Sequence, residues 1–203
     1  MLNSKLKLLL FLSLYGCSQG KDTTSLYSII SKANCKGPSG MYHTELHATT
    51  DGYTRFHQSF SNGDQDYDAV AYSDTLGFVV SNGSVERKTE SAEISVGKGH
   101  SFHMIALSPS MIFNQTNGGR YLDNQGREVV FKYDSLSDRI LSFNLINPFD
   151  TLESIEIYYS QWEKVEGLEL PMQVQIIQGG KDNFFFEFYE VKIDAPTFAK
   201  IDF

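Results

Sequence analysis

A chain of 203 residues, 41% of them hydrophobic, is long enough to bury a core and suits a single domain behind any N-terminal leader. A net charge of −8 argues against nucleic acid or anionic headgroups as main partners, and losing a leader with Lys5 and Lys7 makes the rest more acidic. The two cysteines, Cys17 and Cys35, have no metal-type spacing and exclude a disulfide framework.

The chain opens with Lys5 and Lys7, followed by a short apolar run from Leu8 to Leu14. That run is far below the roughly 20 apolar residues that span a bilayer. Its layout is that of a secretory signal peptide. An A-x-A-like cleavage site is absent, and Leu14-Tyr15-Gly16-Cys17 stands in its place. This resembles the lipobox of bacterial lipoproteins. The resemblance implies a lipoprotein signal peptide over 1–16 and a diacylated, palmitate-type thiol at Cys17. A lipidated polar tether over 17–24 would follow. Two or more acyl chains anchor stably where one does not. An ordinary leader or a buried N-terminal helix with a chance cysteine is the plainer alternative. Ser18 after the cysteine, rather than Asp, points to the periplasmic side of the outer membrane. Cys35 is then left alone and reads as a small apolar residue rather than a reactive thiol.

From residue 25 to 203 the pattern is that of one domain. "TSLYSIISKANCKG" carries Leu26, Ile29, Ile30 and Ala33 at helical spacing, with Thr24 or Ser25 as cap and Gly37-Pro38 as stop, so a helix is predicted over about 25–35. Beyond Met41 the period becomes two. Two runs flank Thr50-Asp51-Gly52, a hairpin signal. Strands are then expected over 65–72, 76–81, 84–88, 91–96, 128–135, 139–146, 153–163, 170–178 and 183–194. Asn-Gly, Ser-Asp and Gly-Gly turns separate them. "KGHSFHMIALSPSMIF" interrupts the series. Phe102, Ile105 and Ala106 at helical spacing predict a short helix ending at Ser108-Pro109, placed to cover one sheet face. The fold class is mainly β: one curled antiparallel sheet with one or two covering helices.

The last strand is apolar on both faces. Strict alternation puts Phe184, Phe186 and Phe188 on one side and Phe185, Tyr189, Val191 and Ile193 on the other. Such a sheet needs a core on one side and a helix, partner or greasy ligand on the other. The same region carries Tyr159, Trp162, Val165, Gly167, Leu168 and Pro171, then Gly179-Gly180, then Asp194-Ala195-Pro196 with Phe198. Over about the last 50 residues these resemble the outer-membrane lipoprotein carrier and sorting (LolA/LolB-like) superfamily. The resemblance implies an eleven-stranded half-barrel whose concave apolar side, plugged by helices, takes acyl chains. Gly167, Leu168 and Pro171 are its structural motif. Gly167 supplies a turn and Pro171 opens an edge or bent strand. No arginine of this chain can be matched to the holding of a lipoprotein.

Catalytic chemistry finds little support. His43 and His47 flank Glu45 on one strand face, about 13 Å apart at roughly 3.3 Å per residue, too far for one zinc ion. His100 and His103 sit three apart on the predicted helix. A site built from the two pairs is a metallohydrolase reading, against which stands the plain one of solvated or hydrogen-bonded histidines. No G-x-S-x-G occurs, and Glu153/Glu156 and Glu187/Glu190 read as solvated strand faces. No cofactor is implied. The expected function is therefore non-enzymatic. The chain would be a lipid-anchored binding protein holding an acyl chain or lipidated ligand, the ligand side assigned by parity to Ile157, Tyr159, Val174, Ile176, Phe184, Phe186 and Phe188. The alternative is a structural envelope lipoprotein with a filled barrel.

Overall fold

The computed structural model describes residues 28–60, 66–71, 73, 75–81 and 84–194. Cys17, the leader, the tether, Ala195-Pro196 and Phe198 lie outside these. The strands run β1 Ser28–Gly37, β2 Gly40–Thr49, β3 Thr54–Phe60, β4 Tyr67–Ala71, β5 Gly77–Ser81 and β6 Ser84–Lys88. Two helices follow, α1 Ser91–Gly99 and α2 Phe102–Leu107, then a 3-10 turn at Pro109–Met111. The second series is β7 Asn114–Gln115, β8 Tyr121–Leu122, β9 Glu128–Tyr133, β10 Ile140–Ile146, β11 Ser154–Val165, β12 Leu168–Gln178 and β13 Asp182–Ile193.

All thirteen described strands form one sheet in the order β6-β5-β4-β3-β2-β1-β13-β12-β11-β10-β9-β8-β7. It is thus two antiparallel meanders joined where the first strand pairs with the last. The sheet stays open, with β6 and β7 as its edges. Those edges are consecutive in sequence, so the chain between them must cross a face of the sheet. α1 and α2 are that crossing. The sheet exceeds the eleven strands of the family pattern by the two-residue strands β7 and β8, which pair with each other and with β9.

Local chemistry explains most elements. The β11–β12 hairpin turns on Glu166 (φ 49°) and Gly167 (φ 89°), with Val165 paired to Leu168. Positive φ at both central residues is the type I′ geometry that suits strand twist. Gly52 (φ 93°) likewise closes β2 onto β3.

Three expectations are corrected. The segment predicted as a helix over 25–35 is β1 wherever it is described. Ile29, Ser31, Ala33 and Cys35 are all buried while Asn34 and Lys36 are exposed, a period of two. The same residues also carry a helical spacing, and pairing with both β2 and β13 decides between them. The strand expected at 91–96 is α1. Glu90 and Glu93 form a reciprocal capping box at its start, which the strand reading overlooked. Third, strict alternation fails in β13. Its register with β1 slips between Lys32 and Ala33, leaving Tyr189 as an extra residue. This bulge inverts the parity, so Val191 and Ile193 join Phe186 and Phe188 in the core rather than facing Phe185.

The core fills the concave side, between the sheet and the crossing helices. Its members come from both meanders and from α2: Ile29, Leu46, Phe102, Ile105, Phe143 and Leu170 among them.

Candidate functional site: the concave face

α2 (FHMIAL) lies against β12, and nearly every side chain it directs at the sheet is large. Phe102, Met104 and Ile105 are each at most 1% exposed. Phe102 packs edge-on against Phe186 and Phe188, 5.2 and 6.3 Å between centroids. Two buried hydrogen bonds fix the helix. The Tyr159 hydroxyl donates to the Phe102 carbonyl at 2.9 Å. His103 Nε2 meets the Pro171 carbonyl at 3.0 Å. A carbonyl only accepts, so Nε2 carries the proton. Burial pushes the His103 imidazole down to about 4, so it is neutral around pH 7.

The sheet is prepared for this contact. β12 pairs with β13 only from Gln173 to Gln178. Pro171 stands beyond that ladder, where β13 has parted from β12, and its carbonyl goes to His103 instead of a strand. Across from it, β11 kinks at Gln161 (φ 54°), so Tyr159 and Trp162 both turn inward. Pro171 therefore sits inside a central strand and does not open an edge strand. Of the motif, Tyr159 and Pro171 hold α2, while Gly167 makes the β11–β12 turn.

α1 buries Ile94 outside the cavity and turns only small residues toward it. Ser95, Val96 and Gly99 face Ile157, Ile176 and Phe186 across a cavity of about 280 Å³. Tyr42 and Phe56 form one wall, Leu145 and Ile155 another, and Pro148-Phe149 the lip. The size is near the lower end of ligand pockets, roughly 300–1,000 Å³. Its wall is mostly aliphatic and aromatic, with Gln58, Ser95, His100, Asn147 and Gln178 as polar members. His100 Nδ1 lies 2.7 Å from the Val96 carbonyl, and its ring packs on Phe56 and Phe102. Burial holds it down to about 4.

The residues singled out from sequence fall as follows. Ile157, Tyr159, Val174, Ile176, Phe186 and Phe188 are buried in the concave core, with Phe184 packed against it. Ile157, Ile176, Phe184 and Phe186 line the cavity, while Tyr159 and Phe188 lie under α2. The cavity's other wall, Tyr42 and Phe56, was not singled out. The signal was present in the alternation of β2 and β3 but gave no indication that these strands face β12 and β13 across a curled sheet. The histidines do not converge. His43 is exposed on β2, His47 is buried beside Tyr53, and His100 and His103 are bonded to carbonyls. Among the described residues no group of three or more His, Cys, Asp or Glu is placed to hold a metal ion. Cys35 is buried; burial pushes its thiol up to about 12, with a hydrogen bond to the Thr44 hydroxyl opposing. It is a packing residue.

No protein-family model matches the chain, and no curated protein sequence does. Solved structures do. The LolA superfamily protein NE2245 from Nitrosomonas europaea aligns with a TM-score of 0.53 at 9% identity, covering 84% of this chain and 87% of that one. A structure described as an outer membrane lipoprotein-sorting protein domain, from Vibrio parahaemolyticus, aligns at 0.52 and 10% identity over 84% and 86%. At such identities the likeness concerns architecture. The chain has a LolA-like fold: an open, curled antiparallel sheet with helices across its concave side. No described helix is long and apolar enough to cross a membrane.

Proposed function

We propose that this protein is a lipid-anchored binding protein of the bacterial envelope. It would hold an acyl chain or lipidated ligand against the concave face without any chemical step. The observation that carries the reading is the apolar cavity of about 280 Å³ between α1 and the sheet. Burial drives binding, at about 25 cal/mol per Å² of apolar surface removed from water. The cavity takes part of a chain, with the remainder leaving past the Phe149 lip. The similar structures, one of them described as a lipoprotein-sorting domain, support an envelope setting. The lipobox-like Leu14–Cys17 supports attachment through Cys17 to the outer membrane, facing the periplasm. On this reading residues 1–16 are removed, 17–24 tether, and 25–203 form the working domain.

The alternative is an interaction lipoprotein that binds an envelope protein through the convex face. Phe185 (47% exposed), Tyr189 (57%) and Met41 (59%) on that face favour it. Native mass spectrometry of the Cys17→Ala chain, with solvent extraction of co-purifying material, separates the two. A bound acyl species supports the carrier and names its cargo. A clean protein mass, unchanged after lipid or lipopeptide is offered, sinks the carrier in favour of the interaction module.

A further inference from the structure

The polar side chains of the cavity share one property: four of five have a donor committed outside it. The Ser95 hydroxyl donates to Asn124 Oδ1. His100 uses its Nδ1 proton on the Val96 carbonyl at 2.7 Å. Asn147 Nδ2 and Gln178 Nε2 both donate to Glu153 Oε2, at 3.0 and 3.2 Å. An ionised carboxylate can only accept, so each amide must turn its NH₂ toward Glu153 and its carbonyl away. Asn147 Oδ1 takes the Phe149 N–H at 2.9 Å, and its backbone carbonyl accepts from Arg127 Nη1 at 3.3 Å. What remains toward a ligand is mostly acceptors: the Gln178 carbonyl, the Ser95 oxygen and the imidazole nitrogen Nε2 of His100, against one uncommitted N–H on each of the two amides. Gln58 keeps its whole amide.

Charge points the same way. None of the described lining residues is Lys or Arg. The guanidinium beside Asn147, that of Arg127, is ion-paired to Asp123 at 2.6 Å. Glu153 stands directly behind the two rim amides. A carboxylate or phosphate head would meet acceptors and a negative charge with no cation to pair it. A donating, positive head meets the reverse.

Building on the acyl-binding reading, we propose that this cavity selects single-chain amphiphiles whose head donates hydrogen bonds, ammonium foremost, over those with carboxylate or phosphate heads. Glu153 sets the preference by its charge and by orienting Asn147 and Gln178.

The test is calorimetric titration of the Cys17→Ala chain, around pH 7, with decylammonium, 1-decanol and decanoate. The chain is held constant, so only the head varies. Decylammonium is expected to bind at least about tenfold tighter than decanoate, with decanol between. Equal affinities, or decanoate the tightest, overturn the head-group proposal while leaving acyl binding intact. If none of the three binds, the acyl-binding reading itself fails, and the proposal with it. In Glu153→Gln the ammonium–carboxylate gap should shrink to about threefold or less, with decanol affinity unchanged as the report of an intact cavity. A gap that persists in a variant still binding decanol removes Glu153 as its cause.

Discussion

The two ends of the concave face are covered by consecutive helices, yet one is packed solid and the other is hollow. The difference lies in a few side chains. α2 presents Phe102, Met104 and Ile105, and its backbone and His103 are bonded to β11 and β12. α1 presents Ser95, Val96 and Gly99 over an equally apolar stretch of sheet. Protein interiors close to near-crystalline density when side chains of the right volume are available. Where the helix offers a hydroxymethyl, an isopropyl and a hydrogen atom, the gap stays. α2 therefore serves as the structural plug, and α1 as the roof of the cavity.

The sharpest way to break the comparison is to make the filled end hollow. Phe102→Ala should cost about 3–5 kcal/mol and lower the Tm by roughly 10 °C, read by thermal and urea unfolding. A loss under about 1 kcal/mol would mean that α2 is not a plug.

The next effect is a pH dependence centred on the helix histidines. His100 and His103 titrate near 4 in the folded protein because they are buried, against about 6.5 when unfolded. Between those values the unfolded chain binds more protons, so stability rises with pH. It should be complete above pH 6.5 and fall toward pH 4, by up to about 1.4 kcal/mol per pH unit for each histidine. His103→Gln should flatten the slope between pH 6.5 and 5. An unchanged slope would place His103 in solvent.

Tyr159→Phe removes one latch, the side-chain hydrogen bond to the Phe102 carbonyl. About 1–3 kcal/mol should be lost, with β11 otherwise intact. The smallest effect on stability belongs to the hollow end. Val96→Phe should fill space that is already empty, changing stability by less than about 1 kcal/mol. Acyl binding should nevertheless weaken by at least tenfold in the titration above. If binding survives, the ligand lies elsewhere.

The sequence alone determined a good deal. Strands β4–β6 and β9–β13 follow from alternation and turn residues, which are local signals. The type I′ hairpin at Glu166-Gly167 needs only one glycine and one tolerated positive φ. α2 was legible because Phe102, Ile105 and Ala106 follow one helical face before a proline. The C-terminal motif pointed to the LolA-like architecture. Three decisions were beyond local reading. Ile29, Ile30 and Ala33 fit a helix and a strand equally; the partners that settle it, β13 in particular, lie some 150 residues on. The inversion after Tyr189 comes from a bulge in the ladder with β1, opposite Lys32 and Ala33. The cavity depends on which helix lies over which strands, and so on the chain having to cross from edge β6 to edge β7. Periodicity is set by each residue's near neighbours and survives in the sequence. Register, parity beyond a bulge and empty volume are relations between distant segments, and only the folded sheet fixes them.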